Sequence, residues 1–175
     1  MDAEIWLNQL LARLDETGPV GQSALEYLRE RKINVSLRAQ PTGARWTARG
    51  HIELHPSTAD TKDDAYALSL IVHEVRHLQQ GWFTALSVQG ELDGWQVQFS
   101  FLKSLTGRYH SDPKLNNIVA ELMTLPLSDR AALKRARKLM QEFAGRKYRI
   151  DLLPLYPLGR EIWFWLSSGR ASHHV

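Results

Sequence analysis

The sequence contains no cysteine, and this absence excludes several kinds of chemistry. Disulfide bonds, thiolate ligands for zinc and a cysteine nucleophile are all ruled out. Histidine, aspartate and glutamate are then the strong metal ligands that remain. Any metal site in this chain must therefore bind its ion through nitrogen and oxygen atoms.

Long apolar runs are missing as well, since none approaches the ~18 residues that a membrane-spanning helix needs. The opening segment, MDAEIWLNQLLARLDE, lacks the basic stretch that precedes the apolar run of a secretory signal. We therefore expect a cytoplasmic protein with no membrane partner. The net charge of +3 is too small to select nucleic acid as a partner.

The composition is that of a globular protein, with 175 residues of which 43% are hydrophobic and 23% charged. A chain of this length can bury a real apolar core without cross-links. We find no internal repeat, low-complexity tract or linker. The sequence thus predicts a single domain over residues 1–175.

The spacing of apolar residues predicts a mainly helical body with a small sheet near the N-terminus. Alternating segments between Ile33 and Pro56, separated by turn residues, predict three short strands in an antiparallel sheet. Helical periodicity and capping residues predict helices over residues 5–14, 23–31, 58–81, 90–105, 112–123 and 128–143, with a final short helix near the C-terminus. The expected fold class is α+β.

The strongest predicted helix carries the sequence His-Glu-x-x-His at His73, Glu74 and His77. Residues four apart lie on the same face of a helix, so both imidazoles can reach one tetrahedral ion. Glu74, next to the first histidine, can direct its carboxylate at a water molecule in the open coordination position. This motif predicts a catalytic zinc site with Glu74 as the general base.

A catalytic zinc ion needs a third protein ligand, and the next helix supplies candidates in the sequence Gly-Glu-Leu-Asp-Gly. We assign this role to Glu91, which begins a helix long enough to pack across the first one. Asp93 is the alternative ligand, although it points about 200° around the helix from Glu91. Gly94 presents no side chain and would allow the two helices to approach closely.

The sequence HEVRH, followed by a glutamate in ELDGW, resembles the gluzincin branch of the zincin metallopeptidases, especially its compact prokaryotic members. The resemblance covers roughly residues 45–100 and implies that His73, His77 and Glu91 bind zinc while Glu74 activates water. It also implies an antiparallel sheet before the zinc helix, with HIELH as the edge strand that lines the cleft. The metzincin branch is excluded because it requires glycine and histidine where this chain has Gln80 and Phe83.

These observations predict a zinc-dependent metallopeptidase that cleaves a peptide or protein substrate. Five residues are candidates for stabilising the transition state, and no spacing argument separates them: Arg76, Tyr109, His110, Tyr148 and Tyr156. The alternative is a non-catalytic protein, either a metal-stabilised interaction module or a nucleic-acid-associated regulator that uses the basic segment 134–149. Nucleic acid is not favoured, because no recognition fold or aromatic stacking platform accompanies that segment. The sequence does not predict the oligomeric state.

Overall fold

A computed structural model describes residues 3–60, 64–145 and 148–163 of the chain. The fold is α+β, as predicted, with a small sheet and a mainly helical body. The helices, in chain order, are α1 (Ala3–Arg13), α2 (Pro19–Glu30), α3 (Ser57–Asp60), α4 (Asp64–Gln80), α5 (Trp82–Ala85), α6 (Val88–Thr106), α7 (Pro113–Leu122) and α8 (Arg130–Ala144). The strands are β1 (Val35–Leu37), β2 (Ala44–Trp46) and β3 (Ile52–Leu54). Two short 3₁₀ helices span Leu14–Glu16 and Ile150–Leu152.

The helix boundaries follow local signals that the residue patterns only approximate. Side-chain oxygens of Ser87, Asp112 and Asp129 accept hydrogen bonds from backbone N–H groups in the first turns of α6, α7 and α8, which places the starts of these helices. The predicted helix over residues 58–81 is α3 and α4, and the intervening residues 61–63 lie outside the described part. The predicted final helix is present over residues 158–163, and residues 164–175 also lie outside that part.

The predicted antiparallel sheet is wrong in its topology, because the sheet is mixed with the strand order β1-β3-β2. Strand β3 pairs in parallel with β1 and antiparallel with β2. Consequently HIELH is the central strand, and β2 lies at an edge. The alternation of HIELH suggested a half-exposed strand, but all three residues of β3 are buried. Glu53 tolerates this burial because Arg38 and Arg45 both bind its carboxylate.

Buried apolar side chains form two clusters that meet along α4 and α6. The sheet core contains apolar residues of α1, α2, α4 and the three strands, together with Phe101. The helical core contains apolar residues of α6, α7, α8 and the segment 150–156. The side chain of Tyr66 packs against both cores. No helix in the described ranges has the length and apolar character needed to cross a lipid bilayer.

Candidate metal centre

The two histidines of the motif lie on the buried face of α4, one turn apart. Both are nearly inaccessible to solvent, with 6% of His73 and 3% of His77 exposed. Their rings meet edge to face with centroids 4.4 Å apart, and their Nε2 atoms are 2.8 Å apart. The helical spacing that predicted a shared face thus brings both ligand atoms to one point.

Glu91 completes this arrangement from the first turn of α6. Its Oε2 atom lies 3.7 Å from Nε2 of His73 and 3.6 Å from Nε2 of His77. Ligands of a tetrahedral zinc ion, at bond lengths of about 2.0–2.1 Å, are separated from one another by roughly 3.3 Å. The three predicted ligand atoms therefore form a triangle of the right size, and a set of two nitrogens and one oxygen suits zinc. Across the described part of the chain, no other histidine and acidic side chains converge in this way.

Glu74 lies beside this triangle rather than in it. Its side chain is buried, and it faces strand β2, whose Trp46 backbone contributes a hydrogen bond to the carboxylate. Burial raises the pKa of Glu74 to about 7, while the positive charge of His77 acts in the opposite direction. A carboxylate held here, next to a ligand but not part of the ligand set, can exchange a proton with a group bound at the centre.

The three candidate ligand side chains shift one another's pKa values. Burial, followed by the positive charge of His77, lowers the pKa of His73 to about 3. Burial alone would lower the pKa of His77 too, but the negative charge and hydrogen bond of Glu91, with the charge of Glu74 and the hydrogen bond of Gln80, together raise it to about 9. Burial alone would raise the pKa of Glu91, but His77, His73 and Tyr148 together hold it below its usual range. A metal ion would compete with protons for these nitrogen and oxygen atoms.

Asp93, the alternative third ligand, is not part of the triangle. Its carboxylate receives hydrogen bonds from Nε and Nη2 of Arg76, at 2.7 and 3.2 Å, and from Nε2 of Gln80 at 2.6 Å. The Oε1 atom of Gln80 is 3.1 Å from Nδ1 of His77. Asp93 therefore orients a ligand through Gln80, because a histidine whose Nδ1 donates to an acceptor is fixed with Nε2 facing the ion.

Gly94 lies where α6 crosses the two imidazoles. A Cβ atom at this position would lie 2.9 Å from Cε1 of His73 and 3.3 Å from Cε1 of His77. The first distance is shorter than real Cβ contacts allow, so any side chain would displace a ring. The prediction that Gly94 permits close helix approach is confirmed, and the approach is to the histidines themselves.

Tyr148 is the one residue among the five proposed stabilisers that reaches the centre. Its hydroxyl donates a hydrogen bond to Oε2 of Glu91 and accepts one of 3.0 Å from Nε1 of Trp95. Burial and the negative charge of Glu91 raise the pKa of Tyr148 well above its ordinary value, so the phenol keeps its proton. The sequence could name this residue but could not select it, because it follows Glu91 by 57 positions.

The other four candidates are engaged elsewhere. Arg76 binds Asp93, as described above. The hydroxyl of Tyr156 donates to the backbone oxygen of Ser128 at 2.8 Å. The ring of His110 packs on Phe143, and the hydroxyl of Tyr109 accepts a bond from Lys103.

A cavity of about 330 Å³ opens beside His73 and Glu74. Its walls come from α4, α6, the end of α8 and the residues that lead into the edge strand β2. The edge strand that lines the cleft is therefore β2, in place of the predicted HIELH. The metal centre thus has an accessible space on the side where Glu74 lies.

Comparison of the chain with protein-family models, with curated proteins and with solved structures gives no match. The function has to be inferred from the geometry of the site.

Proposed function

We propose that this chain is a zinc-dependent hydrolase of the zincin type that cleaves peptide bonds. His73, His77 and Glu91 hold the ion, and Glu74 is the general base. The observation that carries the proposal is the convergence of three ligand atoms, on two buried histidines and a half-buried glutamate from two helices, at separations of 2.8, 3.7 and 3.6 Å. The histidines and the glutamate are costly to bury together without a partner, and a divalent cation is the partner that suits them.

Bound zinc would polarise the substrate carbonyl and lower the pKa of a coordinated water. Glu74 then accepts the proton that the attacking water loses and returns it to the nitrogen of the leaving amine. Burial favours this transfer because proton exchange with bulk solvent is restricted at a carboxylate of which 5% is exposed. The backbone of Trp46 orients the same carboxylate.

The substrate would be a peptide or a protein segment in an extended conformation. Strand β2 is at the sheet edge next to Glu74, and an exposed edge can pair with an extended chain through main-chain hydrogen bonds. Such pairing would direct successive side chains alternately into the cavity and away from it.

The direct test replaces Glu74 with glutamine in zinc-loaded protein. We expect Glu74→Gln to retain zinc, measured by atomic absorption, and to lose at least about a hundredfold in hydrolysis of a peptide mixture, the scale of a lost general base. Glu26→Gln changes an exposed glutamate of α2 and should leave both quantities unaltered. Undiminished hydrolysis by Glu74→Gln would reject the assignment of the base.

The competing class is a non-catalytic protein. Metal analysis tests whether the centre binds an ion, and the hydrolysis assay separates a metal-stabilised module from a hydrolase. Absence of zinc from the wild type, together with equal stability of His73→Ala, would favour an interaction module. Part of the charge of the basic helix α8 is engaged within the chain, which weakens the nucleic-acid form of that alternative. Arg130 and Arg135 bind Glu161 and Glu121, and Arg137 donates to the backbone oxygen of Leu153. Arg146 and Lys147 of the basic segment lie outside the described residues.

A further inference from the structure

The cavity beside Glu74 is walled mainly by apolar and aromatic side chains. Tyr66 and Leu70 of α4 form one wall, and Trp95 and Phe99 of α6 form another. Phe143, near the end of α8, also lines the cavity. Both cores therefore contribute to the cavity, which lies where α4 and α6 meet.

Three of these aromatic rings hold one another in place. The centroids of Trp95 and Phe143 are 5.1 Å apart, those of Phe99 and Phe143 are 5.5 Å apart, and those of Trp95 and Phe99 are 5.5 Å apart. The tilted and edge-on contacts are the arrangements that aromatic pairs prefer. Trp95 is fixed further by its hydrogen bond to Tyr148. The wall is thus preformed rather than assembled around a ligand.

The charge of the lining restricts what can enter. The described lining residues include no lysine or arginine, and Glu74 is the acidic member. An acidic substrate side chain would lose its hydration there without gaining a cation, which is costly. An apolar side chain has no such hydration to lose, and its transfer from water into the pocket is favourable.

The volume is sufficient for a large side chain. Pockets for drug-sized ligands range over about 300–1,000 Å³, and 330 Å³ is at the lower end of that range. A phenylalanine, leucine or similar group fits such a space.

We propose that this cavity, the aromatic pocket, binds a large apolar side chain of the substrate directly next to the bond that is cleaved. The inference rests on the proposed hydrolase function. Glu74 lines the pocket, so a bond whose cleavage Glu74 assists would lie beside the pocket. The proposal names the substrate class as peptides with an aromatic or branched aliphatic residue at one position flanking the cleaved bond.

The first measurement uses peptides that differ only at the residues flanking the cleaved bond. We expect the zinc-loaded wild type to cleave the phenylalanine peptide at least about tenfold more efficiently, in kcat/KM, than the alanine peptide. The reason is that burying a phenyl ring contributes more favourable transfer free energy than burying a methyl group. Equal efficiencies for phenylalanine and alanine at both flanking positions would overturn the proposal.

Gly43 offers a way to fill the aromatic pocket without altering its aromatic wall. It is exposed, and a Cβ atom there would lie 3.2 Å from Cδ1 of Leu70, so a side chain would project toward the pocket. Gly43→Leu should reduce the preference for phenylalanine over alanine to about twofold or less. Gly159→Leu adds the same side chain where nothing lies within 4 Å and should keep the wild-type preference.

A second substitution that occupies the pocket keeps the test valid if Gly43→Leu does not fold. Ala144 also lines the pocket and is exposed near the end of α8, so Ala144→Leu narrows the pocket from the opposite side. An unchanged preference in both folded variants would overturn the proposal.

Hydroxamates test the pocket independently of turnover, because the hydroxamate group binds zinc and its substituent probes the cavity. We expect the zinc-loaded protein to bind 3-phenylpropanohydroxamate at least about tenfold more tightly than acetohydroxamate in calorimetry, with Gly43→Leu removing the difference. If no peptide is cleaved but this difference is found, the peptidase function fails and the pocket stands. If peptides are cleaved and the two hydroxamates bind equally, the function stands and the pocket proposal fails.

Discussion

The geometry of Glu91 depends on a residue from a distant part of the chain. The hydroxyl of Tyr148 donates to the same Oε2 atom that faces both histidines. It is fixed in turn by Nε1 of Trp95. A ligand carboxylate restrained in this way keeps its orientation before the ion arrives, which reduces the cost of binding.

Replacement of Tyr148 with phenylalanine should weaken zinc binding by about tenfold, the lower end of the effect of outer partners of metal ligands. The variant frees Glu91 to rotate and leaves Nε1 of Trp95 without its acceptor. Chelator competition measures the dissociation constant. Tyr109→Phe, which removes a hydroxyl that contacts Lys103, is the matched control, and an affinity equal to that of wild type in Tyr148→Phe would contradict the positioning role.

The convergence of the three candidate ligand residues could be predicted from the sequence because their relation is local or nearly so. His73 and His77 are one helical turn apart, and Glu91 begins the next long helix. The role of Asp93 could not be predicted, because it depends on the directions of Arg76 and Gln80 after the helices pack. Tyr148 is a clearer case, since no spacing rule connects residues so far apart in the chain.

At the scale of elements, α6 approaches the imidazole rings of α4 closely at Gly94. We expect Gly94→Ala to lower the free energy of unfolding by about 1–3 kcal/mol, the usual cost of overpacking, and to weaken zinc binding because His73 must move. Urea denaturation and chelator competition measure the two effects. Gly159→Ala, in open space within helical residues, should be neutral or slightly stabilising. Unchanged stability and affinity in Gly94→Ala would show that α6 can shift away from the rings.

The central strand gives a pH-dependent prediction. A hydrogen bond from Arg45 holds the pKa of Glu53 below its ordinary value of 4.5. Burial acts in the opposite direction but is smaller than the effect of Arg45, and Arg38 lowers the pKa further. A lowered pKa in the folded state means that the carboxylate stabilises the fold above pH 4.5 and that this contribution is lost as the pH falls through the folded value.

Glu53→Gln should therefore have a lower urea midpoint than wild type at pH 7, and the difference should narrow below pH 4.5. Denaturation curves at pH 7 and in the acid range measure it. Glu26→Gln, at an exposed position of α2, serves again as the control. A gap between Glu53→Gln and wild type that stays constant into the acid range would contradict the ion-pair account.

Element types were more predictable than their arrangement. Apolar periodicity and caps gave the long helices, whereas the strand order depended on which segment could be buried on both faces. The resemblance implied that HIELH was an edge strand. The burial of Glu53 in a central strand could not be predicted, because its two arginine partners come from β2 and from the residue after β1. The short helix α5 was not predicted, since four residues carry too little periodicity.

At the scale of the whole molecule, the centre joins the sheet core to the helical core. The histidines belong to α4, whose apolar residues pack in the sheet core, and Glu91 belongs to α6, which packs mainly in the helical core. A bound ion would connect these two parts directly. Its binding energy would therefore add to the stability of the folded chain.

We expect zinc at about a thousandfold excess over its dissociation constant to add roughly 4 kcal/mol to the free energy of unfolding. This corresponds to a rise in Tm on the order of 10 °C for a chain of this size. Differential scanning calorimetry with zinc and with chelator measures the change. His73→Ala should show no such rise, and a wild-type Tm that is independent of zinc would contradict a metal centre at this position.

The distribution of the ligand set along the chain has a consequence for the order of events during biosynthesis. The ribosome releases His73 and His77 well before Glu91, and Tyr148 emerges later still. A nascent chain would therefore offer only a loose two-nitrogen chelate, from which an ion could exchange freely. Under the proposed function, tight capture of zinc and the onset of hydrolysis would wait until both cores have docked.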